Sequence, residues 1–417
     1  MFRASAIIQA ILAGCVPLAA AQLPPLHAAI RNADLNRVEK LIASGADVNE
    51  PDAAGTPPLI AAVLSQNLQI TRLLLAHGCN VNARQQETHG TALFYAVLGS
   101  RGELAGALLS AGALPNLHYT NRQTVLHLAA AKGDLTMARL LLAGGADPHA
   151  LDNSGNTPLD EAVLHARKDV VELLIQSGAD VHAGHGRNGR GPLDEACIAG
   201  QPEIALLLIR AGADPALRDN SGQSPLDLAL AYKSGSVVSA LLRIASFEPA
   251  VRQEFVQAME TAVAHGRTAV ARLLLDSGWN ANERTSAGSS YLNDAALGGH
   301  LALSRMLLEH GAKLEARNPQ GGTALHDAAI AGNPEIIALL LDHGASIDAL
   351  DTESGATPLM LAASLGRTSA VSLLLERGAN PALADKDGRT ALSRAKEAHN
   401  SELVKLLENS GKASRKS

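Results

Sequence analysis

Aromatic residues are almost missing from this chain of 417 residues: they make up 2% of it, as one Trp, four Tyr and four Phe. A core built without them has to come from Leu, Ala, Val and Ile, and a hydrophobic content of 47% supplies enough of these. Cysteine is scarce too, at three residues, so no dense disulfide framework carries the fold. Basic excess is lacking; the formal net charge of −6 argues against the positive footprint that nucleic acid selects. No apolar run reaches the roughly 18 residues of a stop-transfer helix, so no membrane span is expected. Phosphate-cradling glycine loops and the strained serine turn of hydrolases are absent as well. Fifteen His are present, but they lack Cys or carboxylate partners at ligand spacing, so neither a metal nor another cofactor is expected.

What the chain has instead is a ladder of glycines. They stand at Gly45, Gly78, Gly112, Gly145, Gly178, Gly212, Gly278, Gly311, Gly344, Gly378 and Gly411, at intervals of 33 or 34 residues with one double interval around Ala245. A fixed period of this size means a stack of small similar units, not a core folded around a pocket. It moves the functional question from chemistry to surface recognition.

Ahead of the ladder, residues 1–21 have the form of an export signal. Arg3 gives a positive end, residues 7–18 are mostly apolar, and Ala19-Ala20-Ala21 offer small residues for cleavage before Gln22. The stretch Leu12-Ala13-Gly14-Cys15 also resembles a bacterial lipobox, in which Cys15 would carry a lipid. Cleavage after Ala21 is the preferred reading, because only 14 residues precede Cys15.

One unit illustrates the rest. Thr124 caps a helix that turns Leu126, Ala129 and Ala130 inward, and Gly133 ends it through a left-handed turn. A second helix follows over residues 135–143, with Leu140, Leu141 and Leu142 as its apolar seam, and Gly145 closes it. Residues 147–155 are turn-rich and project as a finger. Thr157-Pro158-Leu159 then restart the unit, with proline at the first helical position.

These residues resemble ankyrin repeats. The T-P-L-H-x-A signature of that family is approached at Pro25-Leu26-His27-Ala28-Ala29, Thr124-Val125-Leu126-His127-Leu128-Ala129 and Thr323-Ala324-Leu325-His326-Asp327-Ala328. The resemblance covers residues 24–411 in about twelve units. It implies an all-α solenoid of stacked helix pairs with hairpin fingers, curved so that fingers and first helices form a concave face. At the family's repeat rise, Cys79 and Cys197 are too far apart to pair.

Several units depart from the pattern. The signature His becomes Asp160, Asp194, Asp227 and Asn293, all of which can bond backbone near a helix start. The 34-residue units carry an extra residue around 85–90, 185–190 and 351–356. Residues 243–260 have no Gly-Ala-Asp turn and no finger signature, and the stretch from Ala250 to His265 is expected to be one lengthened helix. This is either tolerated drift or a hinge or contact patch between two arrays, 24–245 and 246–411. A polar last unit suits a C-terminal cap, followed by a basic tail at 412–417.

The family binds other proteins through finger tips and the end of the first helix. Carried over by position, this points to Gln86, Glu87 and His89; Tyr119, Asn121, Gln123 and Lys132; Asn153, Asn156 and His165; Arg187 and Arg190; Asn220, Gln223 and Tyr232. Tyr119 and Tyr232 are the expected anchors, because aromatics are scarce here and tyrosine concentrates binding energy. The expectation is therefore a non-enzymatic, monomeric, exported protein that binds another protein in the periplasm or outside the cell. An inhibitor or immunity protein against a secreted enzyme or toxin, and a lipid-anchored envelope scaffold, are the alternatives.

Overall fold

The computed structural model describes residues 23–182, 187–246 and 248–413. Within these residues the chain forms twenty-four α-helices in twelve antiparallel pairs and no extended strand. Three isolated bridges, such as Arg84 with Thr91, close fingers at their base. Two compact units are present, one ending at Pro225 and the other starting at Leu226.

The local rules of the sequence account for the helix ends. The helix Val125–Lys132 starts from Thr124 and stops at Gly133, whose φ is 74°. Its partner Leu135–Ala143 starts from Asp134, whose carboxylate accepts the Met137 N–H. Gly145 follows with φ +85°, and a Cβ there would meet nothing within 4 Å. Left-handed backbone, not crowding, is what demands glycine at that rung. Inside the pair, Leu126, Ala129, Ala130, Met137, Ala138 and Leu141 are fully buried. Leu140 and Leu142 are only partly covered, so the seam is narrower than three consecutive leucines. It follows the 3.6-residue period instead.

Buried histidines link neighbouring repeats. The Thr124 N–H donates to His127 Nδ1 at 3.1 Å, and His127 Nε2 donates to the Asn156 carbonyl 29 residues on, also at 3.1 Å. His326 does the same towards Ala356, and His27 reaches Thr56. Burial holds the His127 and His326 rings below the usual imidazole range, in keeping with a neutral ring that accepts at one nitrogen and donates at the other. Asn293 copies the arrangement with its amide, which donates to the Gly322 carbonyl at 3.2 Å. Asp194 cannot copy it. Its Oδ2 accepts the Gly191 N–H, but its buried Oδ1 has no partner.

In the second unit the ladder breaks as the sequence indicates. The helix Gly235–Ala245 runs to 11 residues, where the other second helices before it have nine, and the next helix, Pro249–Ala264, has 16. Its added turns bring the fully buried Phe255 against Trp279 with ring centroids 5.5 Å apart. Trp279 stands where most repeats have the small alanine after the turn glycine. Its indole N–H donates to the Tyr291 hydroxyl at 3.2 Å, and the Arg252 guanidinium lies 5.7 Å from the ring centroid. Arg252 is in turn paired with Glu283 at 3.0 Å. The last rung of the ladder differs from expectation: Gly411 closes no turn but lies inside the helix Ser401–Ala413.

Candidate functional site

The fingers of the first unit are held by aspartates at their base. Asp152 Oδ1 accepts the N–H groups of Ser154 and Asn156 at 2.7 and 2.9 Å, and Asp219 repeats this with Ser221 and Gln223. In the longer finger at 85–90 the longer Gln85 takes that role, accepting the N–H groups of Glu87 and Thr88. Fingers are then joined through backbone in three adjacent pairs. Gln86 N–H donates to the Gly55 carbonyl, Asn153 N–H to Asn121, and Asn220 N–H to Asn188, at 3.3, 2.8 and 2.9 Å. Asn121 adopts φ 60° for this contact, a conformation asparagine tolerates. The backbones of these candidates are committed to the scaffold. The side chains of Gln86, Glu87, His89, Asn121, Asn153 and Asn220 are exposed.

A second group converges on Glu161, which is only 8% exposed. The Gln123 amide donates to Glu161 Oε1 at 3.3 Å. His165 Nδ1 lies 3.7 Å from Oε2 and 2.9 Å from the Glu161 carbonyl. The Asn156 side chain also bonds to the carboxylate. Burial raises the carboxyl above its ordinary range, and Asp152 and Asp160 push the same way while His165 opposes them. Tyr119 completes the group. Its ring is partly covered and packs on Phe94 at 4.5 Å, and its hydroxyl is buried with no hydrogen-bond partner. Burial pushes that hydroxyl far above its ordinary pKa, with Glu161 and Asp152 adding to the effect. Sequence reasoning did not single out Glu161 as a binding residue. The signal it lacked was the set of neighbours, which come from two fingers and one helix.

The remaining candidates separate. Lys132 is a brace: its ammonium donates to the carbonyls of Val97 and Leu98 and to Ser100 Oγ at 3.2, 2.6 and 2.8 Å. It covers the C-terminal carbonyls of the preceding first helix, where a cation is favoured. Arg167 and Gln201 reach back in the same way to Ala131 and Val163. Lys132→Met keeps the apolar stem but loses those bonds, so it should cost about 0.5–1.5 kcal/mol in urea unfolding; an unchanged midpoint would show that water replaces them freely. Arg190 is paired with the buried Asp219 at 3.2 Å, and Gln223 is partly covered at the base of its finger. The side chain of Arg187 lies outside the described residues, as does Cys15. Tyr232 is 55% exposed and belongs to the second unit. Cys79 and Cys197 are free thiols, and burial pushes Cys79 up to about 11, which leaves it unreactive. Among the described residues no three His, Cys, Asp or Glu side chains are grouped to hold a metal ion.

The family model of ankyrin repeats in three copies matches residues 26–118, 99–185, 258–351 and 325–416, and that of the single repeat matches 188–220. This chain belongs to the ankyrin-repeat family. The matched ranges pass over 221–257, where the regular second helix lengthens and the finger is lost. Ankyrin repeats are an architecture for binding other proteins. A curated relative, the E3 ubiquitin-protein ligase hecd-1 of Caenorhabditis elegans, is 55% identical over 42 residues. That match takes in 10% of this chain and 2% of the ligase. The crystal structure of the ankyrin repeat domain of Bcl-3 is 29% identical, covering 49% of this chain and 93% of that one, at a TM-score of 0.46. No described helix is long and apolar enough to cross a membrane.

Proposed function

We propose that this ankyrin-repeat protein is exported and binds another protein on the finger side of its first unit. The observation that carries the docking surface is the pairing of the fingers. Their backbones are fixed in three adjacent pairs, and Gln86, Asn153 and Asn220 present exposed side chains, one on each pair. Rigid presentation lowers the ordering cost of binding. A combined Gln86→Ala, Asn153→Ala and Asn220→Ala variant should weaken the partner, once captured by cross-linking the intact protein, by at least about tenfold. Its thermal midpoint should stay where it is. Undiminished affinity would remove the docking surface.

Export rests on residues 1–21 alone. Mass spectrometry of the mature protein should find a chain starting at Gln22. A lipid on Cys15, expected from Leu12-Ala13-Gly14-Cys15, would replace secretion by envelope anchoring. A mature chain still starting at Met1 would remove both.

A further inference from the structure

We propose that Glu161 is the socket for a single arginine side chain presented by the protein partner. The inference rests on the finger-side docking reading and names the chemistry of its centre. Glu161 is more than nine-tenths buried, and the charged groups that act on it most are His165, Asp152 and Asp160. A covered carboxylate without a strong cationic partner is costly, and the cost is recovered when a cation pairs with it. Its side-chain donors are neutral amides, those of Asn156 and Gln123. Glu161 takes the Gln123 amide at 3.3 Å, a long bond for a charged acceptor, and the buried Tyr119 hydroxyl has no partner at all.

Three basic groups of this and the preceding repeat are engaged elsewhere. Lys132 caps the preceding helix, Arg167 donates to Ala131, and Lys168 is held by Glu203 at 2.5 Å. His165 has its Nδ1 on the Glu161 carbonyl oxygen. His165 Nδ1, 3.7 Å from Oε2, is a loose counter-charge, and a permanent cation brought by a partner would pair with the carboxylate more strongly. A guanidinium suits the place better than an ammonium, because its planar fork binds a carboxylate through two N–H groups and keeps further donors for a neighbouring oxygen. The ring of Tyr119, fixed against Phe94, supplies a wall for the arginine stem.

The test uses the full chain and a random library of 12-residue peptides displayed on phage. Selected peptides should carry an arginine, and replacing it by citrulline in the synthetic peptide should weaken binding by at least about tenfold. Glu161→Gln, which keeps the shape of the side chain, should cause a similar loss. Glu172→Gln, on the exposed face of the second helix in the same repeat, should not. Circular dichroism of the two variants confirms that both remain folded. If the peptides lack an essential arginine, or bind Glu161→Gln as well as they bind the unaltered chain, the socket is overturned. The docking surface survives that result if the triple finger variant still loses the peptides. If neither change matters, or no peptide is enriched, both readings fail.

Discussion

Phe255→Ala should destabilise the unit that begins at Leu226 by about 3–5 kcal/mol, the range for removing a large buried aromatic ring. Phe255 is fully buried, and the ring it packs on, Trp279, is itself 5% exposed. Phe255 is the ring through which the lengthened helix Pro249–Ala264 stacks on Trp279. Removing the ring leaves a cavity beside an indole whose N–H is already committed to Tyr291. The chain has one tryptophan, so its emission reports on this unit without ambiguity. With a denaturant slope of about 2 kcal/mol/M, the urea midpoint should fall by roughly 2 M and the emission should shift to the red. A loss below about 1 kcal/mol would mean that the helix is held in place by its flanks and not by the aromatic stack.

The second large effect is a gain. Asp194→Asn should stabilise the protein by about 1–3 kcal/mol near neutral pH and by almost nothing near pH 4. The Asp194 carboxyl is pushed from its ordinary 3.8 up to about 6, chiefly by burial. A carboxyl with a folded pKa above its unfolded value favours the folded state fully below about pH 4. That contribution is lost as pH rises through about 6. At neutral pH the folded chain therefore carries a buried charge whose Oδ1 has no partner. Asparagine removes the charge and adds a donor. Asn293 shows what that donor does at the equivalent place, reaching the next finger's carbonyl at 3.2 Å. Thermal melts of both proteins between pH 4 and 8 would show the difference opening as pH rises. A difference that stays flat with pH would mean that Asp194 ionises without penalty.

These two sites mark where sequence reasoning succeeded and where it stopped. Thr124, Gly133, Gly145 and Pro158 act through their own backbone, so their roles were legible from spacing alone. The same is true of His127, because a signature residue repeats with its partner one period away. Lys132 was not legible. Its bonds run to carbonyls at Val97 and Leu98, and nothing in its own repeat distinguishes a brace from an exposed lysine. Glu161 was hidden for the same reason, since Gln123 and Tyr119 come from the previous finger. Trp279 was not singled out from the sequence at all, and its contact with Phe255 depends on the added turns of Pro249–Ala264. Periodicity identifies equivalent positions, whereas exceptions at those positions take their meaning from the neighbouring repeat.

The histidine links also give the stack a direction. Each of His127, Asn293 and His326 donates forward to a carbonyl about one period later in the chain. That carbonyl already accepts a bond within its own finger, as Asn156 does from the Asp152 N–H. Removing the repeat that follows His127, Asn293 or His326 therefore strands a buried donor. Removing one from the N-terminal end only returns a carbonyl to a single bond. Stranded donors are the costlier defect. Shortening the array so that it ends with the repeat of His127, Asn293 or His326 should therefore be tolerated less well than shortening it so that it begins with one of those repeats.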